Sequence, residues 1–327
     1  MKKFNEIFID KTKYGEKIQT SEYEKQGKHI IVDQGQAEIA GYTNREEGLF
    51  NEVPVIIFGD HTRLIKYIDE PFFLGADGVK VLRSKEKNAN YKYLYYALKS
   101  AKIPNTGYNR HFKWLKDVEI NYPDSVKQEK IVDILDRVSD VIEKRKAELS
   151  YLDTLIKARF VEMFGDPIIN SKGLETKELN EVLVLKAGDF TAASDISVEP
   201  TEINIYPCYG GNGIRGYVAE YNQEGEYSLV GRQGALSGNV QYATGKFKNT
   251  EHALLVKPII RMNSIWLNQL LLNLDLKRYQ TGAAQPGLSV KNLQDIQIIM
   301  VPIDEQRVFA DFVHQIDKSK LQKVSAA

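Results

Sequence analysis

The chain has 327 residues, of which 43% are hydrophobic and 27% charged, and its 44 basic side chains balance 44 acidic ones. This composition can bury cores for two domains of ordinary size and excludes a wholly disordered chain, while zero net charge gives no direct sign of a nucleic-acid partner. The single cysteine, Cys208, excludes an internal disulfide and a multi-cysteine zinc site. The sequence has neither an apolar run of membrane length nor the apolar core of a signal peptide. We therefore expect a cytoplasmic protein without membrane contact.

Two stretches of the chain share one design. Pro54–Leu82 and Tyr227–Pro258 each contain an apolar run, a tight Gly-containing stretch with one arginine, and further strand-like runs. Other segments pair at an offset of roughly 170–180 residues, for example Gln36–Asn44 with Gly211–Ala219. Short apolar runs broken by Gly, Asn and Pro predict two similar globules of twisted antiparallel sheet with a few short helices.

The segment Ser125–Pro167 is predicted to form one long helix. Ser125 and Gln128 make a capping-box pattern, Gly165 and Pro167 end the run, and apolar residues recur at helical spacing throughout. A helix of about 40 residues is roughly 60 Å long. A second helix is predicted from Asp304 and is about half as long, because the sequence ends at Ala327.

These elements predict an α+β protein in four segments. The segments are a first globule (1–124), a long spacer helix (125–166), a second globule (167–302) and a shortened second helix (303–327). If the second helix returns antiparallel to the first, like a coiled coil, the two globules are related by a pseudo-two-fold axis and face one side. That arrangement suits the reading of two separated half-sites on duplex DNA.

Three segments carry a family resemblance: Leu155–Pro167, Leu229–Val240 and Tyr279–Gln306. They resemble recurring segments of the DNA-specificity subunit of type I restriction–modification systems. The resemblance implies that each globule is a target-recognition domain reading one half of a bipartite, asymmetric site in double-stranded DNA. It also implies that the helices set the spacer and dock two methyltransferase subunits, with restriction subunits joining the complex.

The same resemblance implies that this chain is not catalytic and binds no cofactor or metal. S-adenosylmethionine and ATP would be used by the partner subunits. The short second helix departs from the family pattern, which leaves self-association of this chain open. The apolar positions predicted to form helix and subunit interfaces are Ile131, Ile134, Leu135, Val138, Val141, Ile142, Leu149, Leu152, Ile156, Phe309, Phe312, Val313 and Ile316.

Candidate DNA contacts are the polar residues beside the tight loops. Arginine suits guanine or phosphate, and glutamine and asparagine amides suit adenine. For each of these residues the alternative is an ordinary solvent-exposed side chain. The candidates are Gln34, Gln36, His61, Arg63, Asn109, Arg110, His111 and Lys113 in the first repeat, and Arg232, Gln233, Asn239, Gln285, Ser289 and Lys291 in the second.

Other chemistry has weaker support in the sequence. There is no Gly-Lys-Ser/Thr phosphate loop and no Pro-Pro pair of the methyltransferase type. The repeat aligns Asp77 with His252, and both are predicted to be buried, hydrogen-bonded polar groups, with Cys208 a small core residue. Two alternatives stay open: an interaction scaffold that binds no DNA, and a free-standing enzyme with an unrecognised site.

Overall fold

The structure, a computed structural model, describes residues 1–75, 77–234, 236–282 and 286–325, with the side chains of 322–325 excepted. The chain divides into two compact units, Met1–Lys144 (unit 1) and Arg145–Ala327 (unit 2). Among the described residues, no helix combines the length and the apolar character needed to cross a bilayer.

Unit 1 is a mixed α+β body. Its described strands are Lys2–Lys3 (β1), Phe8–Asp10 (β2), His29–Val32 (β3), Gly41–Thr43 (β4), Val55–Gly59 (β5), Ile65–Ile68 (β6), Phe72–Leu74 (β7), Val79–Ser84 (β8) and Glu119–Ile120 (β9). Its helices are Phe4–Ile7 (α1), Tyr91–Lys99 (α2), Phe112–Lys116 (α3) and the N-terminal half of Ser125–Phe164 (α4). The sheets have the orders β2-β8-β5-β6, β4-β3-β7 and β1-β9.

Unit 2 repeats this plan. Its described strands are Thr176–Glu178 (β10), Leu183–Ala187 (β11), Tyr206–Gly210 (β12), Gly213–Val218 (β13), Gln223–Gly231 (β14), Val240–Asn249 (β15), Ala253–Pro258 (β16) and Gln297–Ile299 (β17). Besides the C-terminal half of α4, its helices are Leu179–Val182 (α5), Ser264–Asn273 (α6), Val290–Leu293 (α7) and Ile303–Ser325 (α8). The sheets have the orders β11-β16-β14-β15-β12-β13 and β10-β17.

The two units correspond strand by strand, which confirms the predicted repeat and the α+β class. The sheet β2-β8-β5-β6 matches β11-β16-β14-β15, and the trio β4-β3-β7 matches β13-β12-β15. Even the register agrees: Ile31 lies opposite Phe73 in unit 1, as Cys208 lies opposite Lys248 in unit 2. The single long strand β15 covers the positions that β6 and β7 share in unit 1.

The prediction of antiparallel sheet is wrong for one pair of named strands in each unit. Strands β3 and β7 pair in parallel, and so do β12 and β15. A parallel pair needs a long crossover connection rather than a hairpin. The intervening strands β4–β6 and β13–β14 supply that connection, which a reading of local turn signals does not reveal.

The same residue type begins the equivalent helices α2 and α6. The side chain of Asn90 accepts a hydrogen bond from the backbone N–H of Tyr93, and Asn263 accepts from the N–H groups of Ile265 and Trp266. A side-chain cap of this kind stabilises a helix by about 1 kcal/mol. Both helices then pack their apolar faces on the main sheet of their own unit.

Within unit 2, helix α8 packs antiparallel on the C-terminal half of α4. Phe309 near the start of α8 meets Phe160 edge to face at a centroid distance of 5.5 Å, and Lys320 further along pairs with Asp153 at 2.7 Å. Ile156 is buried at this contact. Aromatic edge-to-face contacts add to the burial of these large side chains.

This packing corrects part of the predicted subunit interface. Ile156, Phe309 and Val313 are buried inside the core of unit 2, so they close the helix pair within the chain and are not free for another subunit. Among the other predicted interface positions of unit 2, the partly buried ones are Leu149, Leu152, Phe312 and Ile316.

The N-terminal half of α4 is different, because an apolar stripe remains in solvent there. We call the exposed residues Ile134, Val138, Val141 and Ile142 the α4 stripe; their exposed fractions are 62%, 48%, 52% and 48%. Ile131 and Leu135 beside the stripe are half-buried. Cys208 behaves as predicted: it is fully buried, and burial raises the pKa of its thiol.

We expect Phe309→Ala to lower the free energy of unfolding of unit 2 by about 3–5 kcal/mol, because it leaves a cavity between two helices. Phe309 is fully buried against the rings of Phe160 and Phe164. Each unit contains one tryptophan, so Trp266 fluorescence in a Trp114→Phe background reports on unit 2 alone during urea unfolding.

The matched control is Phe312→Ala, one turn further along α8. Its ring is half-buried and lies 5.8 Å from the guanidinium of Arg159, so its removal is expected to cost about 1 kcal/mol. Equal losses for the two variants would contradict the role given to Phe309.

Candidate nucleic-acid interface

Both units hold their polar loops on the same backbone connection. In unit 1 the carbonyl of Asp60, directly after β5, accepts a hydrogen bond from the N–H of His111 at 2.7 Å. In unit 2 the carbonyl of Arg232, directly after β14, accepts from the N–H of Leu288 at 2.8 Å. We call these the paired anchors. Each one ties the segment that precedes α3 or α7 to the end of a buried strand.

Gln34 joins three loops of unit 1. Its amide Nε2 donates to the carbonyl of Asp77 at 2.9 Å, and its Oε1 accepts from the N–H of His61 at 3.0 Å. The hydroxyl of Thr62 donates to the backbone carbonyl of Gln34 at 2.7 Å. Both ends of the amide therefore bind the protein backbone, and in this arrangement the amide is not free for a bidentate contact to adenine.

Gly78 makes this junction possible. Its φ of +91° lies in the region that favours glycine, and a Cβ there would come within 2.7 Å of the Gln34 amide nitrogen and 2.8 Å of the His61 ring. Any side chain at this position would displace both residues. The sequence pattern of a Gly in a turn gives no hint of this close approach.

The prediction of His111 as a DNA contact is wrong. Its ring is fully buried, Nδ1 donates to the carbonyl of Asp60 at 3.0 Å, and Nε2 lies 3.3 Å from the hydroxyl of Thr106. The Asp60 carboxylate in turn accepts from the N–H of Phe112 at 2.7 Å. His111 therefore fixes the segment 105–110 from inside, and the exposed residues of that segment point away from the core.

Tyr108 was missed by the sequence analysis, although it is the most exposed large apolar-type side chain described in unit 1. Its side chain is 89% exposed, and its ring stacks on His61 with centroids 4.9 Å apart and planes 12° apart. Its neighbours Asn109 and Arg110, both predicted contacts, are also exposed. The sequence feature that could have indicated Tyr108 is an aromatic residue inside the polar, Gly-containing stretch Asn105–Arg110.

The remaining unit 1 candidates lie in differing surroundings. Arg63 has φ of +63° and directs its guanidinium to the carbonyl of Ile103 at 3.3 Å. Lys113 is exposed, with its ammonium 4.8 Å from the centre of the Trp114 ring. Gln36 is exposed on the loop after β3. Lys113 and Gln36 thus remain free for a ligand, while Arg63 is partly committed to the protein.

In unit 2, the equivalent positions carry different polar groups. His252 donates from Nδ1 to the Gln233 side-chain oxygen at 2.7 Å, and its Nε2 lies 3.2 Å from the Glu251 carboxylate. The prediction that Asp77 and His252 are buried is wrong. The Asp77 side chain is exposed and pairs with Lys17, which lowers the pKa of the Asp77 carboxyl. The His252 side chain is partly exposed.

The other unit 2 candidates lie on several segments of that unit. Asn239 donates to the Asn212 side-chain oxygen at 2.8 Å, which links the turn before β13 to the turn before β15. Ser289 caps helix α7 by accepting from the N–H of Asn292, and Lys291 on that helix is exposed. Gln285 lies outside the described residues.

The side chains of the two loop sets suit the binding of a polar ligand. Within the described ranges, no group of three His, Cys, Asp or Glu side chains is placed to hold a metal ion. The side chains at the two loop sets are hydrogen-bonding groups on exposed surface: amides, imidazole, guanidinium and ammonium. Such groups are the ones that contact base edges and phosphates.

One α+β frame is built twice, with different polar side chains at matching loop positions. Residues 1–151 and 171–325 match the family model described as type I restriction modification DNA specificity domain. The chain belongs to this family, which confirms the resemblance seen in the sequence.

Relatives support the assignment. The type I restriction enzyme EcoprrI specificity subunit of Escherichia coli is 38% identical over 194 residues, which are 58% of this chain and 48% of that protein. The EcoR124I/EcoR124II specificity subunit of the same species is 27% identical over 167 residues, 46% of this chain and 40% of that protein. These matches span less than half the length of either relative.

A solved structure has the same fold. It is the crystal structure of a type I restriction–modification system S subunit from M. genitalium, with a TM-score of 0.59 and 19% identity over 99% of this chain and 91% of that one.

We expect Gly78→Ala to disturb the Gln34 junction, because the added methyl group meets the Gln34 amide and the His61 ring. Hydrogen exchange followed by mass spectrometry should show at least about tenfold faster exchange of the His61 amide, which corresponds to roughly 1.4 kcal/mol. Gly107→Ala is the matched control: its φ is +76°, and a Cβ there meets nothing within 4 Å. Unchanged His61 protection in Gly78→Ala would contradict the junction.

Proposed function

We propose that this chain is the DNA-recognition subunit of a type I restriction–modification complex and that each unit reads one half of a bipartite site. The observation that carries the proposal is the pair of equivalent anchors, each holding a different set of polar side chains. A constant frame with variable hydrogen-bonding groups is what two independent readers of different base sequences require.

The exposed groups suit major-groove recognition. Arg110 and Lys113 in unit 1, and Lys291 in unit 2, are exposed cations that fit phosphate or guanine. Gln233 in unit 2 is exposed and its orientation is set by His252. An amide held by a neighbour loses less conformational freedom on binding than a free one.

The catalytic steps belong to partners in this proposal. Methyltransferase subunits, two per complex, would use S-adenosylmethionine, and restriction subunits would use ATP. The chain itself would supply sequence recognition and docking surfaces and no reaction. The helices would set the spacer between the two half-sites, as the sequence predicts.

A scaffold that binds protein or sugar is the competing function. Phosphate contacts release counterions, so affinity for DNA falls steeply as salt rises. Loss of about 10³-fold or more in affinity between 50 and 200 mM salt, together with preference for one sequence, would support the DNA reader. Salt-insensitive binding without sequence preference would support the scaffold.

Replacing residues 1–124 by the first globule of another family member is expected to change one half-site and keep the other. The reason is that unit 1 holds its loops through its own anchor, made by Asp60 and His111. The measurement is genome-wide mapping of methylated sites in cells that carry the chimaera and the methyltransferase subunits. A change in both half-sites would refute independent reading.

The α4 stripe is proposed to dock a methyltransferase subunit. It exposes four aliphatic side chains on one helix face, and exposed apolar surface costs about 25 cal/mol per Å² until it is covered. Val138→Glu combined with Ile142→Glu should therefore weaken assembly at least tenfold while each unit stays folded. Light scattering with and without the methyltransferase subunit gives the mass of the assemblies.

The matched control is Ser150→Glu with Thr154→Glu, which adds the same charge at the same spacing to exposed polar positions of α4. Normal assembly of the stripe variant would remove the docking role. A stripe variant that loses self-association of the chain alone would reassign the stripe to a second copy.

A further inference from the structure

We propose that Tyr108, backed by His61, contacts the C5-methyl group of a thymine in the half-site read by unit 1. The inference rests on the proposed function and adds a specificity-determining residue to it. A single exposed aromatic side chain is not by itself evidence of a binding site. The surroundings of Tyr108 are what distinguish it.

The ring is held in place even though it stands in solvent. It stacks on His61 at 4.9 Å with only 12° between the planes, and the backbone of His61 is fixed by Gln34. The segment itself is braced by the hydrogen bond of the Gly107 N–H to the Asn105 side chain at 3.2 Å. A tyrosine fixed in this way offers a large contact surface at a small loss of conformational entropy.

Tyr108 lies among the predicted DNA contacts, because its ring stacks on that of His61. Arg110, two residues on, lies close enough to Asp77 to help lower the pKa of that carboxyl, and Asp77 accepts from Gln34 through its backbone. The ring is therefore part of the same loop set as the predicted base contacts. It is the one exposed member of the set, among the residues described in unit 1, whose surface is mainly apolar.

The chemistry of the major groove selects the ligand. Every base edge there presents hydrogen-bond donors or acceptors, and only thymine adds an apolar group, its C5-methyl. An aromatic face is the natural partner of a methyl group, while the exposed cations Arg110 and Lys113 suit the polar edges. Covering one methyl group contributes about 0.8 kcal/mol, which is roughly a fourfold preference in binding.

The contact is expected in one half-site alone. Counting back three residues from the paired anchors at His111 and Leu288 gives Tyr108 in the first repeat and Gln285 in the second. In sequence, the second repeat thus has Gln285, which lies outside the described residues, at the count where the first has Tyr108. We therefore expect this position to contact a thymine methyl group in unit 1 and not in unit 2.

The experiment uses the full chain with its methyltransferase subunits and the site found by methylation mapping. Each thymine of the site is replaced in turn by uracil, which lacks the methyl group, and binding is measured by competition. In the parent, one thymine of the unit 1 half-site should lose about threefold to fivefold in affinity on replacement. In Tyr108→Ala that loss should vanish, and Tyr108→Phe should keep it.

The outcomes separate the alternatives. Tyr14→Ala, an exposed tyrosine elsewhere in unit 1, should behave like the parent. A uniform loss of affinity in Tyr108→Ala with the uracil effect intact would indicate a phosphate or stacking contact and overturn the inference. The absence of any uracil effect, or a half-site without thymine, would also overturn it. A parent complex without sequence preference would refute the proposed function itself.

Discussion

One backbone hydrogen bond holds the candidate loops of each unit, from His111 to Asp60 in unit 1 and from Leu288 to Arg232 in unit 2. A backbone bond does not specify which side chains stand on either side of it. Polar residues whose side chains do not hold the backbone can therefore change while the loop keeps its path. In unit 1 the anchor is reinforced by side chains, since the Asp60 carboxylate and the His111 ring add further bonds. The residues that fold each unit are thereby largely different from the exposed polar residues proposed to contact DNA.

The elements that follow from local patterning were predictable, and those that depend on distant contacts were not. The helical spacing of apolar residues predicted α4, and the similarity between two parts of the chain predicted the repeat. Both signals can be found in the sequence without knowledge of distant contacts. The parallel pairing of β3 with β7 depends on a crossover that no local signal marks. The burial of His111 depends on a carbonyl 51 residues away, so a polar residue in a polar stretch looked like a surface contact. Tyr108 was overlooked because its stacking partner His61 is also far away in sequence.

The two units use different polar contacts to hold the same apolar frame. In unit 1, Lys92 and Tyr96 of α2 both donate to Asp136 of α4, and the pKa of that carboxyl is lowered, mainly by the hydrogen bond from Lys92. In unit 2, Ser264 of α6 and Tyr242 of β15 donate to Glu226 of β14 and lower its pKa. The apolar faces of α2 and α6 meet equivalent sheets in both cases. Apolar packing therefore defines the fold, and the polar networks are particular to each copy.

The packing of α8 on α4 within unit 2 has a consequence for synthesis on the ribosome. The core of unit 1 draws on Val132, which follows its own strands directly in the chain. The core of unit 2 joins Phe160 and Phe164 to Phe309, with all of β10–β17 between them in the chain. Translation proceeds at roughly 5–20 residues per second, so Phe309 is synthesised on the order of ten seconds after Phe160 and Phe164. Since domains generally fold as units during synthesis, we expect unit 1 to complete its core first, while the aromatic residues of unit 2 stay uncovered for longer.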